Sequence, residues 1–167
     1  MKQFCFLSLL IIFTTTPVLI SCNNVEKKET TPGQAKSEQE FVNIMQRHLN
    51  AVTNRDIEAL KSTMSPEGKM QLILPGSEII YSVDGFMDYH KKWFSDSAWT
   101  FEAKILNTRI GNKIGMAVAE IMYKEPEREG KPYYNRMIVS YDLEKIDGTW
   151  YVIKDHASSV EKSTDKE

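Results

Sequence analysis

The stretch Asp147-Gly148-Thr149-Trp150-Tyr151-Val152-Ile153-Lys154-Asp155-His156-Ala157-Ser158 decides how the rest of the chain is read. Asp-Gly between two runs rich in aromatic and β-branched residues is a hairpin turn, because its tight two-residue geometry asks both positions for positive φ. The turn joins a strand over Tyr133–Ile146 to one over Thr149–Ser159. Alternation then puts Trp150, Val152, Lys154, His156 and Ser158 on one face and Tyr151, Ile153, Asp155 and Ala157 on the other. Trp150 marks the first of these faces as the inner one. In the preceding strand Tyr141 and Arg136 have opposite parity, so Tyr141 is expected inward and Arg136 outward or interfacial.

Upstream of this hairpin the alternating pattern continues. Trp99–Ile110 carries Trp99, Phe101, Ala103 and Ile105 on one side, Lys113–Tyr123 follows, and Glu125–Lys131 is a polar excursion containing Pro126 and Gly130. A short strand covers Lys69–Leu74. Three stretches have helical period instead. Ser37 with Glu40 matches a capping box, and Phe41, Met45, Leu49 and Val52 form the stripe behind it. Asp56 sits at an N-cap before Ile57, Leu60 and Met64, and Ser65-Pro66-Glu67-Gly68 closes that helix. Asp84–Phe94 brings Phe86, Tyr89, His90 and Trp93 onto neighbouring turns. Helices and an antiparallel meander predict an α+β domain, three N-terminal helices packed on a strongly curved antiparallel sheet.

The ends of the 167-residue chain read differently. Lys2, the apolar run Phe4–Phe13 and Leu19-Ile20-Ser21-Cys22 have the pattern of a bacterial lipoprotein signal over residues 1–21, with Cys22 the lipidated residue. An ordinary secretion signal with a coincidental cysteine is the other reading. Removal of Cys5 and acylation of Cys22 leave no thiol for disulfides, catalysis or metal binding. Residues 22–36 are expected to be a flexible tether, 37–160 the folded domain and 161–167 a frayed tail. The formal net charge is −2 with both signs interspersed, so nucleic acid is not an expected partner. The expected location is the cell envelope, lipid-anchored and facing the periplasm or the cell surface.

The order of elements, Asn54-Arg55-Asp56-Ile57-Glu58-Ala59-Leu60, Pro75-Gly76 and the closing stretch quoted above resemble the nuclear transport factor 2-like superfamily, and its SnoaL-like members most. The resemblance covers about Ser37–Val160. It implies a cone-shaped fold whose cavity serves catalysis, ligand binding or packing alone. The last strand is similar to Trp-x-x-x-His-x-His-x-Ser of the calmodulin-dependent kinase association domain, with Trp150, His156 and Ser158 kept and Lys154 in place of the first histidine. Compared with ketosteroid isomerases, the tyrosine context becomes Gln46-Arg47-His48 and the catalytic base becomes Leu74 before Pro75. A leucine cannot abstract a proton, so that route to isomerisation is broken.

The candidate ligand-binding residues are His48, Tyr89, Trp93, Tyr141 and His156. Aromatic rings and hydroxyls suit a flat or apolar molecule, and His156 is either a cavity proton carrier or a structural histidine. Trp99 and Phe101 could line the same pocket or simply fill the core. No His-x-x-x-His spacing is present, and neither a metal nor a cofactor is expected. The reading is an envelope lipoprotein that binds a small apolar or aromatic molecule. Its rivals are a proton-transfer or dehydration enzyme using His48, His90 and His156 with Asp88 or Asp155, and a dimeric assembly module pairing through the open face of the sheet.

Overall fold

The computed structural model describes residues 31–76 and 78–166, so the signal segment and Cys22 lie outside the described residues. Helix α1 spans Pro32–Asn54. It starts earlier than the Ser37 cap read from sequence. Thr31 is the N-cap, accepting from the Gln34 amide, and Pro32 fits the first turn because its missing N–H would be orphaned there anyway. Residues 32–36, expected as tether, are therefore helical. Ser37 and Glu40 instead tie the helix to the sheet. Lys145 Nζ donates to Ser37 Oγ at 2.9 Å and to Glu40 Oε2 at 3.4 Å, while Trp150 Nε1 donates to the Ser37 carbonyl at 3.1 Å.

Helix α1 ends at Arg55, which takes the left-handed conformation at φ 56°. Its guanidinium donates to the carbonyls of Asp96, Ser97 and Trp99 and lies 3.8 Å over the Trp99 ring. Helix α2 (Ile57–Lys61) has the expected Asp56 cap, accepting from the Ala59 amide at 2.9 Å. Strands β1 (Lys69–Ile73) and β2 (Ile79–Ser82) come before helix α3 (Val83–Phe94), capped by Ser82. So the third helix follows two strands, and β2 is a short, exposed edge strand that carries no alternation signal.

Strands β3 (Thr100–Ile110), β4 (Ile114–Arg128), β5 (Lys131–Ile146) and β6 (Thr149–Lys162) complete a curved, unclosed six-stranded sheet among the described residues, in the order β2-β1-β6-β5-β4-β3. Neighbours are antiparallel except β1 and β6, which run parallel. Two of the three hairpins of the long strands close on two-residue turns with positive φ, at Asp147-Gly148 as expected and at Glu129-Gly130. The excursion at 125–131 is strand up to that second turn. Residues 161–162, expected to fray, extend β6, and Ser163–Lys166 add a 3-10 turn.

Strand β6 carries two bulges. Asp142 faces Lys154 but Leu143 faces Val152, leaving Ile153 without a partner in the ladder. An extra residue reverses side-chain parity beyond it. Trp150 and Val152 point inward as alternation requires, but past Ile153 the buried residue is Asp155, and His156 turns to the outer face. The second shift lies near Val160, between Met137 paired with Ser159 and Arg136 paired with Glu161. Strand β5 has no extra residue, so Tyr141 is buried, while Arg136 lies outward between Glu120 at 3.2 Å and Glu161 at 3.4 Å.

The core forms where the α1 stripe meets the inner sheet face. Phe41, Met45, Leu49 and Val52 pack with Ala117, Ala119, Ile121, Leu143, Trp150 and Val152. Phe41 meets Trp150 edge-on at 5.2 Å. Gly115 lies beneath Phe41, where a Cβ would come within 2.5 Å of the ring. No helix among the described residues is long and apolar enough to cross a membrane.

Candidate functional site

Between α3 and the inner sheet face lies a cavity of about 340 Å³. Val52, Leu72, Leu74, Phe101, Met137 and Val139 supply apolar wall, and Tyr89, Trp93 and Tyr123 supply aromatic wall. Trp93 is braced by stacking on Trp99 at 4.4 Å. The polar lining groups are His90 from α3, Asn135 and Tyr141 from β5, Asp155 from β6, and Arg128 from the tip of β4. At that tip Arg128 binds Glu125 through two nitrogens and covers Tyr133 at 3.5 Å, while the Tyr123 hydroxyl donates to Glu125 at 2.6 Å.

Asp155 is the unusual member. Its carboxyl is buried and makes no hydrogen bond among the described residues. Burial lifts it from 3.8 to about 7, because an unpaired carboxylate in a weakly polar setting is costly. Tyr141 is pushed well above the phenol range by burial and then by the neighbouring Asp155 charge; Tyr89 is raised by burial, then by Glu78 and Asp155. Tyr123 is raised too, first by burial and then by its bond to Glu125. Asp155 and Tyr141 are thus a carboxyl and a phenol that share one cavity wall and both resist ionisation.

The histidines divide by location. His90 Nδ1 lies 2.8 Å from the Phe86 carbonyl and His90 lines the cavity; burial depresses it to about 4, against the opposing effect of that bond. His48 is sealed in the core, its Nδ1 2.8 Å from Thr63 Oγ1. Thr63 gives its own proton to the Leu60 carbonyl at 2.7 Å, so it accepts from His48 Nδ1–H and leaves Nε2 as an unpaired acceptor. Burial, then the His90 charge, hold His48 near 3. No three His, Cys, Asp or Glu side chains cluster as metal ligands among the described residues.

Of the residues singled out in the sequence, the structure brings Tyr89, Trp93 and Tyr141 together on the cavity wall. His48 touches it only indirectly, its ring 5.6 Å from that of Tyr141. His156 does not reach it: the Ile153 bulge places it in a groove on the outer face with Ile73, Pro75 and Ser158. Leu74, the aligned isomerase-base position, lines the cavity as a hydrocarbon. Asp155 takes the inward place assigned to His156. The adjacent apolar pair Val152-Ile153 was the one local trace of an interrupted alternation.

The comparisons agree with this geometry. The family model for the SnoaL-like domain matches residues 42–161. A ketosteroid isomerase-like protein from Erwinia carotovora atroseptica is 15% identical over 74% of this chain and 95% of its own, with a TM-score of 0.63. An NTF2-like protein of unknown function from Pseudomonas putida is 16% identical over 74% and 87%, with a TM-score of 0.63. The association domain of C. elegans CaMKII is 18% identical over 77% and 99%, with a TM-score of 0.57. No curated protein matches the chain. At these identities the structures speak to the fold, and the matched family model speaks to descent. With helices on a bent sheet that resembles NTF2-like structures, a cavity between them and a family match over most of the folded residues, the chain belongs to the SnoaL-like domain family.

Proposed function

We propose that the cavity binds a small, largely apolar ring compound and that Asp155 holds its polar end. The observation that carries this is the buried Asp155 carboxyl, unbonded among the described residues and set in a wall of aromatic and aliphatic side chains. Cavities that bind small molecules combine such walls with a few convergent polar groups, and about 340 Å³ is within their usual range. Native mass spectrometry of the full chain tests it. A non-covalent adduct is expected on wild type and absent from Ala157→Phe, which fills the cavity from its β6 wall. Wild type without an adduct, and without a thermal shift on adding naphthalene, rejects the reading.

A second reading is proton transfer. A SnoaL/NTF2-like fold suggests a cavity-binding or isomerase-like function, and a carboxyl held near 7 can both give and take a proton at neutral pH. The proton would pass between Asp155 and the bound compound, with Tyr141 as hydrogen-bond donor. Asp155→Asn then lowers turnover by about two to four orders of magnitude with little change in affinity. Equal loss of affinity and turnover favours simple binding.

The domain is held at the membrane by lipid on Cys22. Leu19-Ile20-Ser21-Cys22 supports this, and Cys22→Ser, which cannot be diacylated, should release the protein to the soluble fraction. The domain pairs through the outer sheet face, where Leu106, Ile114 and Met116 are exposed. A structural neighbour being an association domain is consistent with oligomer formation. Light scattering should return a dimer mass, and Met116→Lys a monomer.

A further inference from the structure

We propose that His90 selects the compound bound in the cavity, admitting ring compounds that carry a hydroxyl or N–H and placing that donor on its Nε2. The inference rests on the cavity-binding reading and adds the class of ligand. The argument begins with the Phe86 carbonyl, 2.8 Å from His90 Nδ1. A carbonyl only accepts, so the proton is on Nδ1, and a neutral imidazole then presents a lone pair at Nε2.

The ring cannot easily exchange these roles. It lies against Phe86 at 4.0 Å and is met by Tyr89 at 5.3 Å, Phe94 at 5.5 Å and Trp93 at 5.7 Å. Turning it over would break the Phe86 bond within that aromatic enclosure. Burial keeps the ring neutral, so Nε2 does not become a donor in the neutral pH range. Nε2 has no partner among the described residues. His90 is 4% exposed and lines the cavity, so the atom left over is available to a bound molecule.

His48 shows what the same arrangement looks like without a ligand role. Its Nε2 is also an unpaired acceptor, but it is shut inside the core and lines no part of the cavity. Asn135 Oδ1 is a second buried acceptor on the wall without a partner among the described residues, while two other polar wall groups complement His90. The Tyr141 hydroxyl keeps its proton, and Asp155 carries one below about pH 7, so both can donate where His90 can only accept. A compound with a hydroxyl at one edge and an acceptor oxygen at another satisfies both kinds of group.

Calorimetric titration of the full chain with 2-naphthol and with 2-methoxynaphthalene tests this, since the two differ chiefly in the donor. Wild type is expected to bind 2-naphthol about tenfold more tightly, the value of one well-placed hydrogen bond. His90→Phe is expected to bind both equally. On wild type, the ¹⁵N resonance of His90 Nε2 should move on adding 2-naphthol and stay with 2-methoxynaphthalene, a readout that needs no folded variant. Equal affinities on wild type, a preference that survives His90→Phe, or a stationary Nε2 resonance overturns the inference while leaving the cavity reading intact. Failure of both compounds to bind overturns the two together.

Discussion

Tyr141 on β5 and Asp155 on β6 are direct partners across the sheet, and both face the cavity. Unbroken pairing from Leu143 and Val152 would have set Lys154 opposite Tyr141 and turned Asp155 to the outer face. Ile153 supplies the odd residue that changes it. One bulge thereby converts a strand that would present Lys154, His156 and Ser158 inward into one that presents Asp155 and Ala157. The polarity of the cavity depends on that single insertion more than on any motif.

Asp155 should make stability depend on pH in a definite direction. The folded protein holds its proton up to about pH 7, whereas the unfolded chain loses it near 3.8. Folding therefore has its full carboxyl contribution below about pH 4 and loses it as pH rises through 7, with Tyr141, Tyr89 and His90 as the titratable groups around it. Asp155→Asn removes the cost, which is on the order of 4 kcal/mol at pH 8. The variant should melt several degrees above wild type at pH 8 and close to it at pH 4. His48 and His90 act in the opposite sense, losing stability as pH falls below 6.5, but they cancel in the difference between variant and wild type.

Gly115 should tolerate no side chain. A Cβ there would come within 2.5 Å of Phe41 Cε2 and 3.3 Å of the Arg109 carbonyl, and Phe41 is pinned edge-on against Trp150. Gly115→Ala should cost about 1 to 3 kcal/mol by overpacking. Combining it with Phe41→Leu should cost less than the two separate changes added, and chemical denaturation of the four proteins gives that coupling directly. Strict additivity would show that the ring moves freely.

Trp150 anchors the start of β6 to α1. It is 1% exposed, touches Phe41 and donates to the Ser37 carbonyl. Trp150→Ala should cost about 3 to 5 kcal/mol, seen as a steep drop in thermal midpoint. Trp150→Phe keeps most of the packing and should lose about 1 kcal/mol for the hydrogen bond and somewhat more for the smaller ring. A change within error for the alanine variant would place Trp150 outside the core.

Much of this architecture was legible because its causes are local. Asp147-Gly148 is a turn through backbone conformation alone, the Asp56 cap through one side chain, and the Phe41–Val52 stripe through helical period. Tyr89 and Trp93 follow from spacing on α3, and Tyr141 from a strand without interruptions. The start of α1 at Pro32 was hidden because Ser37 and Glu40 mimic a capping box while serving Lys145 and Trp150 across the fold. The short edge strand β2 has too little alternation to register. The Ile153 bulge reflects how the sheet bends under the helices, a property of the assembled layers, so Asp155 and His156 exchanged faces without a strong local sign.

That exchange makes the last prediction discriminating. If the cavity binds ring compounds as proposed, the inner residue of the β6 pair matters and the outer one does not. His156→Ala should leave the affinity for 2-naphthol unchanged, because His156 lies in the outer groove beside Ile73 and Ser158. Tyr141→Phe should weaken binding by about 0.5 to 1.5 kcal/mol if its hydroxyl donates to the ligand, more if it leaves a ligand acceptor buried and unpaired. Asp155→Ala removes the carboxyl and enlarges the cavity, so it should weaken 2-naphthol more than it weakens naphthalene, which has no polar end to hold. Calorimetric titration of the three variants beside wild type, with circular dichroism to confirm folding, separates these outcomes. Loss of affinity in His156→Ala with none in Tyr141→Phe or Asp155→Ala would place the ligand on the outer face of the sheet and remove the cavity from the function.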